Sequence, residues 1–168
     1  MTLSLYEATI PVFIQTFGHF SKFLDKGRAF ADEKEIPHSD LLEARLYPDM
    51  APLTAQVQRA SDTARFAAVR VGQVEPVSMP DTESSFDELQ ARISKTVEFL
   101  KAVPPQAIDA GEDIPVALKT QRFSMDFKGK EYLLGFALPN FYFHVTTAYG
   151  ILRHKGVPLG KVDFFGKG

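Results

Sequence analysis

Large apolar residues recur at alternating steps of four and three near the start of the chain: Tyr6, Ile10, Phe13, Phe17, Phe20 and Leu24. That spacing keeps them on one stripe of an α-helix, so the segment predicts a helix with one face turned to a core. Its start is marked by Ser4 and Glu7, whose side chains can each reach a free backbone N–H of the opening turn. A start at Ser4 places Pro11 inside the helix, where its ring removes a ladder hydrogen bond and crowds the carbonyl of Glu7. The alternative is a helix that begins at Pro11. Gly27 offers a stopping point, although the charged, alanine-containing run to about Glu35 carries the pattern past it.

Three further helices follow from the same argument. Leu53, Val57, Ala60, Ala64, Ala67 and Val71 repeat the spacing after a proline-punctuated connection (Pro37, Pro48, Pro52) that has room for a short turn around Leu41 to Leu46. The small alanines let a neighbouring helix approach closely, and Gly72 marks the end. Ser85 and Glu88 form a second capping pair ahead of Phe86, Leu89, Ile93, Val97 and Leu100, and Pro104-Pro105 stops that helix. The last helix runs from about Phe141 to Lys155, with Phe141, Val145, Ala148 and Leu152 inward and Gly156 as its cap. Between Ile114 and Leu138 the period becomes alternating. Phe123, Met125 and Phe127, then Lys128-Gly129-Lys130, then Tyr132, Leu134 and Phe136 predict a β-hairpin with its turn at Gly129. The tail VPLGKVDFFGKG is read as too short for another element, and no internal repeat is present. The pattern as a whole predicts one all-α domain over 1–168, a four-helix bundle with a small hairpin between its third and fourth helices.

Composition narrows the function classes. The chain has 15 Phe, 5 Tyr and no Trp, which points to a core filled with phenyl rings. A net charge of −2 gives no basic field for a phosphate backbone, which argues against nucleic acid as a partner. With no Cys there is no thiolate chemistry and no disulfide framework, and the N-terminal stretch lacks the basic region of a signal peptide, so the expected location is cytoplasmic, with no membrane span. There is no G-x-S-x-G, HExxH or G-x-G-x-x-G. The GxxxGK at Gly156 to Lys161 is one residue short of a phosphate loop and has Val162 where a hydroxyl is needed.

The candidate chemistry centres on His144, next to the inward stripe of the last helix. One turn later a metal-binding helix would offer a second imidazole, but the residue there is Ala148. His144 is therefore read as an imidazole held by a buried carbonyl, carboxylate or tyrosine, with a metal-ligand role as the alternative. His19, on the first helix, is a residue that could approach it. His38 and His154 are assigned to the surface. On the second helix Gln56 flanks the apolar stripe and is the better pocket candidate, whereas Gln58, Arg59, Asp62 and Arg65 read as a solvated face. Arg45 and Asp49 are expected to pin the loop before it, or to line a pocket mouth.

The helix order, the long connections and the segment FHVTTAYGILRHKG resemble the DinB/YfiT-like superfamily of metalloenzymes. The likeness is closest to an uncharacterised family within it marked by ARLYPDM, Ala44 to Met50, and NFYFHVTTAYGILRHKGVPLGKVDFF, Asn140 to Phe165. The resemblance implies a four-helix bundle, often dimeric, in which three histidines hold a divalent metal for thiol-dependent transfer or hydrolysis. Against the HxxxHxGQL motif of its fourth helix, His144, Gly150 and Leu152 match. Ala148 and Ile151 do not, and the second helix supplies no histidine. One imidazole cannot hold a catalytic zinc, which takes three protein ligands.

Three functions are expected from these residues. The first is a non-metal bundle that binds a small ligand or a partner through His144, Gln56, Tyr149 and His19, with no cofactor. The second is a divalent-metal-dependent transferase or hydrolase with a displaced ligand set, His144 and His19 among the ligands. The third is a structural or regulatory homodimer without a pocket. A homodimer is expected in any case, through faces outside the heptad stripes such as Ile14 and Phe66.

Overall fold

The computed structural model describes residues 3–119 and 124–167. Four long helices, α1 (Leu5–Glu33), α3 (Leu53–Gly72), α4 (Phe86–Lys101) and α7 (Leu138–His154), form the body. Short helices α2 (His38–Leu42), α5 (Pro105–Asp109), α6 (Gly129–Glu131) and α8 (Lys161–Phe164) lie between and after them, and β1 (Pro115–Lys119) pairs antiparallel with β2 (Ser124–Lys128). The chain is thus mostly helical with one small hairpin. No helix among the described residues is long and apolar enough to cross a membrane.

The apolar stripes become the core. Ile10, Phe13, Phe17, Phe20 and Leu24 of α1 are fully buried, as are Leu53, Val57, Ala60, Ala64, Ala67 and Val71 of α3 and Phe141, Val145, Ala148 and Leu152 of α7. The alanine face of α3 packs most extensively against α7, and then against α4, because small side chains let the backbones come close. Phe141 receives the edges of Phe13 and Phe17 at ring-centroid distances of 4.7 and 5.1 Å. These edge-on contacts direct ring hydrogens at a π-face and add to the area term.

The capping pair Ser4 and Glu7 starts α1 with both hydrogen bonds made, so Pro11 lies inside the helix and the later start is not used. Gly27 does not end α1. It is buried mid-helix where Leu152 of α7 packs, and a Cβ there would sit 3.0 Å from the Leu152 Cδ2. Gly156 has φ +92° and follows the end of α7, as its place beyond the last turn requires. Gly72, by contrast, is the last residue of α3, and the left-handed position falls on Gln73 with φ +51°.

The segment before α7 departs from the expected hairpin. Tyr132–Ala137 is a π-helical stretch continuous with α6 and α7, not a returning strand. The alternation of Tyr132, Leu134 and Phe136 left out Leu133 and Ala137, both fully buried, while Leu134 is 40% exposed. Buried residues at 132, 133, 137 and 141 follow a helical face. The hairpin lies earlier, with Val116 opposite Phe127 and Leu118 opposite Met125, so its turn and Phe123 fall outside the described residues. Gly129 is required for closeness, since a Cβ there would stand 2.0 Å from the carbonyl oxygen of Gly111. The tail also folds further than its length suggests, with α8 held on α1 by the Lys26–Asp163 ion pair.

Candidate functional site

His144 is placed by α7 against α3, where it meets Gln56. The imidazole Nδ1 lies 2.7 Å from Gln56 Oε1, and Gln56 Nε2 donates to the carbonyl of Ala51 at 2.9 Å. The second bond orients the amide with its oxygen toward the ring, so Nδ1–H is the donor and Nε2 keeps its lone pair. Both residues are buried, at 7% and 1% exposure. Burial, aided by the nearby positive charge of Arg59, pushes the His144 pKa down from 6.5 to about 4, so the ring is neutral at physiological pH.

An open cleft lies along the same helix. Phe143 and Thr147, which flank His144 along α7, line it with Leu46, Tyr142, Thr146 and Gly150, enclosing about 530 Å³. The Phe143 ring, 57% exposed, stands edge-on to the imidazole at 5.4 Å. Among the described residues no charged side chain lines the cleft, and α7 carries none before Arg153.

The other two candidates lie with the C-terminal segment. Tyr149 packs edge-on against Phe23 of α1 and Phe164 of α8, at 6.1 and 5.9 Å. His19 rests against Gly166, so closely that a Cβ there would fall 2.2 Å from the ring. The structure therefore joins His144 to Gln56 and gives His19 and Tyr149 contacts with the tail instead. Among the described residues no three His, Asp or Glu side chains are placed to share a metal ion. The donor set at His144 does not fit a divalent metal: one ring nitrogen is committed to Gln56, Ala148 occupies the next turn, and no carboxylate joins.

Pattern reading missed a buried ionic cluster between α3 and α4. Arg92 bonds Asp62 at 2.8 Å and Asp81 and Glu83 at 2.9 Å, and Gln58 donates to Glu83 at 2.9 Å. Arg65 pairs with Asp62 and with the carbonyl of Val77. Gln58 and Arg65 are 8% and 4% exposed, so this face of α3 is not solvated as expected. The chain between α3 and α4 folds back over it, and its amphipathic helix signal could not reveal that cover. Burial opposes ionisation of Glu83, yet the bonds from Gln58 and Arg92 hold its carboxyl below the ordinary value. In the loop before α3, Arg45 reaches the carbonyl of Met50 instead of pairing with Asp49.

The comparisons agree with this architecture. A crystal structure of a DinB family member protein from Shewanella denitrificans is 35% identical, with a TM-score of 0.88, over 96% of this chain and 92% of that one. No curated protein matches the chain. Residues 5–165, from the first turn of α1 to just past α8, match the domain of unknown function DUF1993, and the chain belongs to that DinB-like family.

Proposed function

We propose that the protein is a cytoplasmic helical bundle that binds a small ligand, without a resident metal, at the α3–α7 seam. His144 and Gln56 are its polar contacts, and the cleft beside Phe143 receives the apolar part. The observation that carries this reading is the one-sided satisfaction of His144: Gln56 holds Nδ1, while Nε2 has no partner among the described residues, and Phe143 and Thr147, its neighbours on α7, line an apolar cleft. A polar group near apolar walls is how small-molecule sites fix orientation. Tyr149 and His19 enter only through the tail they hold. We also propose a homodimer, with Phe66 on its contact face. Phe66 is 36% exposed between Arg65 and Arg70, whereas Ile14 is half-buried against the core.

The rival is a metal-dependent transferase or hydrolase with displaced ligands, for which His144 Nε2 would be one donor. Elemental analysis of purified untagged protein separates the two. The expected result is no stoichiometric zinc, nickel or manganese. One metal per chain, lost in both His144→Ala and His19→Ala, would replace the first reading with the second.

A further inference from the structure

The outer face of α7 has the make-up of a contact between chains, and this step rests on the homodimer just proposed. Leu46, Tyr142 and Phe143, which line the open cleft, are 40%, 37% and 57% exposed, and Tyr47, next to Leu46 in the chain, is 65% exposed. Together they present about two whole side chains of aromatic size, on the order of 400 Å² of surface. A stable dimer takes about 800 Å² from each chain, so this patch supplies about half of one contact. It is continuous with Phe66. Asn140 donates to Thr63 at 2.8 Å across the α3–α7 seam, Phe66 lies one turn along α3 from Thr63, and Phe143 lies one turn along α7 from Asn140. Residues three apart share a helix face, so both rings flank the seam that this bond marks.

The patch is also complementary to itself. It carries a projecting ring, Phe143, and beside that ring a cleft bordered by Thr146 and Gly150. Among the described residues a Cβ added at Gly150 would meet only Leu46 Cδ1, at 3.5 Å, so the space over that glycine is unfilled. The cleft encloses about 530 Å³, whereas a benzene-sized guest needs about 150 Å³. Its described lining is uncharged, so two copies can meet there without like-charge repulsion. A closed twofold contact reuses one patch on both chains, and a patch with its own knob and hole fits that symmetry.

We infer that the partner on this face is a second copy of the chain, with the Phe143 ring of each protomer seated over Gly150 in the cleft of the other. The seated ring roofs a cleft that is open in the single chain. It leaves most of the volume for the apolar part of a ligand, so the site is complete only in the dimer.

Two variants of the full chain, alone and mixed, test this contact by light scattering at micromolar concentration. Phe143→Ala removes the knob and should weaken dimerisation at least about tenfold. Gly150→Leu fills the hole and should leave the chain monomeric. The fold accepts that change, since only Leu46 is near and leucine is a better helix former than glycine. Mixed in equal amounts, the two should dimerise again. The Gly150→Leu chain then brings an intact ring to the open cleft of the Phe143→Ala chain, and the opposite contact pairs a filled cleft with a missing ring. If both variants dimerise as the parent does, this face is overturned while the homodimer stands. If each is monomeric and the mixture is too, the seating of the ring is overturned. A parent that is monomeric at all concentrations removes the homodimer and this contact with it, and gives the face to a different occupant.

Discussion

His144 makes folding of this protein depend on pH. In the unfolded chain the imidazole takes a proton at its ordinary value of 6.5, whereas in the folded chain it does so at about 4. Between these values the unfolded state binds more protons, so stability falls as the pH drops through the window and is fully retained above it. The loss approaches about 3 kcal/mol at pH 4. His144→Gln, which cannot titrate, should show a difference in unfolding free energy between pH 7 and pH 4 smaller than the parent's by about that amount. Equal differences in denaturant titrations would mean that the ring is solvated in the folded state. The residue type and its helical phase made His144 and Gln56 legible as neighbours of the inward stripes. Their hydrogen bond, and the separation of His19 and Tyr149 to the tail, depend on how α3, α7 and α8 are docked, which no local pattern encodes.

At the scale of the elements, phenyl rings of α1 pack edge-on against Phe141 of α7. Phe17→Ala removes a ring with no exposure that touches Phe141, and should cost about 3 to 5 kcal/mol. Lys101→Ala, at an exposed position, should stay within about 0.5 kcal/mol. Equal denaturation midpoints for the two variants would contradict the assigned face of α1. The α3–α4 contact tests a different force. Arg92→Leu leaves Asp62 and Glu83 without their shared guanidinium, and breaking such a buried pair should cost about 3 to 5 kcal/mol. Asp81→Asn, on a carboxylate that is 56% exposed, should cost less than about 1 kcal/mol. Comparable losses in chemical denaturation would show that the cluster acts only by surface attraction. The π-helical stretch is the element that pattern reading assigned to the wrong class. Its buried Leu133 and Ala137, outside the alternating set, become visible only as part of a face that continues into α7.

For the whole molecule, the proposed homodimer predicts a mass near twice 18.7 kDa by light scattering at micromolar concentration. Phe66→Asp should return it to a monomer. A parent that is monomeric at all concentrations would remove the dimer. The sequence by itself determined the four long helices, their inward stripes and the capped start of α1, because a period near 3.6 and a capping pair are written in neighbouring residues. It also carried the family likeness in Ala44 to Met50 and Asn140 to Phe165. Only the tertiary structure decided that Gly27 is a contact point for Leu152, that the polar face of α3 is covered, and that His144 turns one nitrogen to Gln56 while the other has no partner among the described residues. Each of these depends on which distant segment arrives opposite a given residue, and burial, pairing and protonation are set by that neighbour rather than by the local chain.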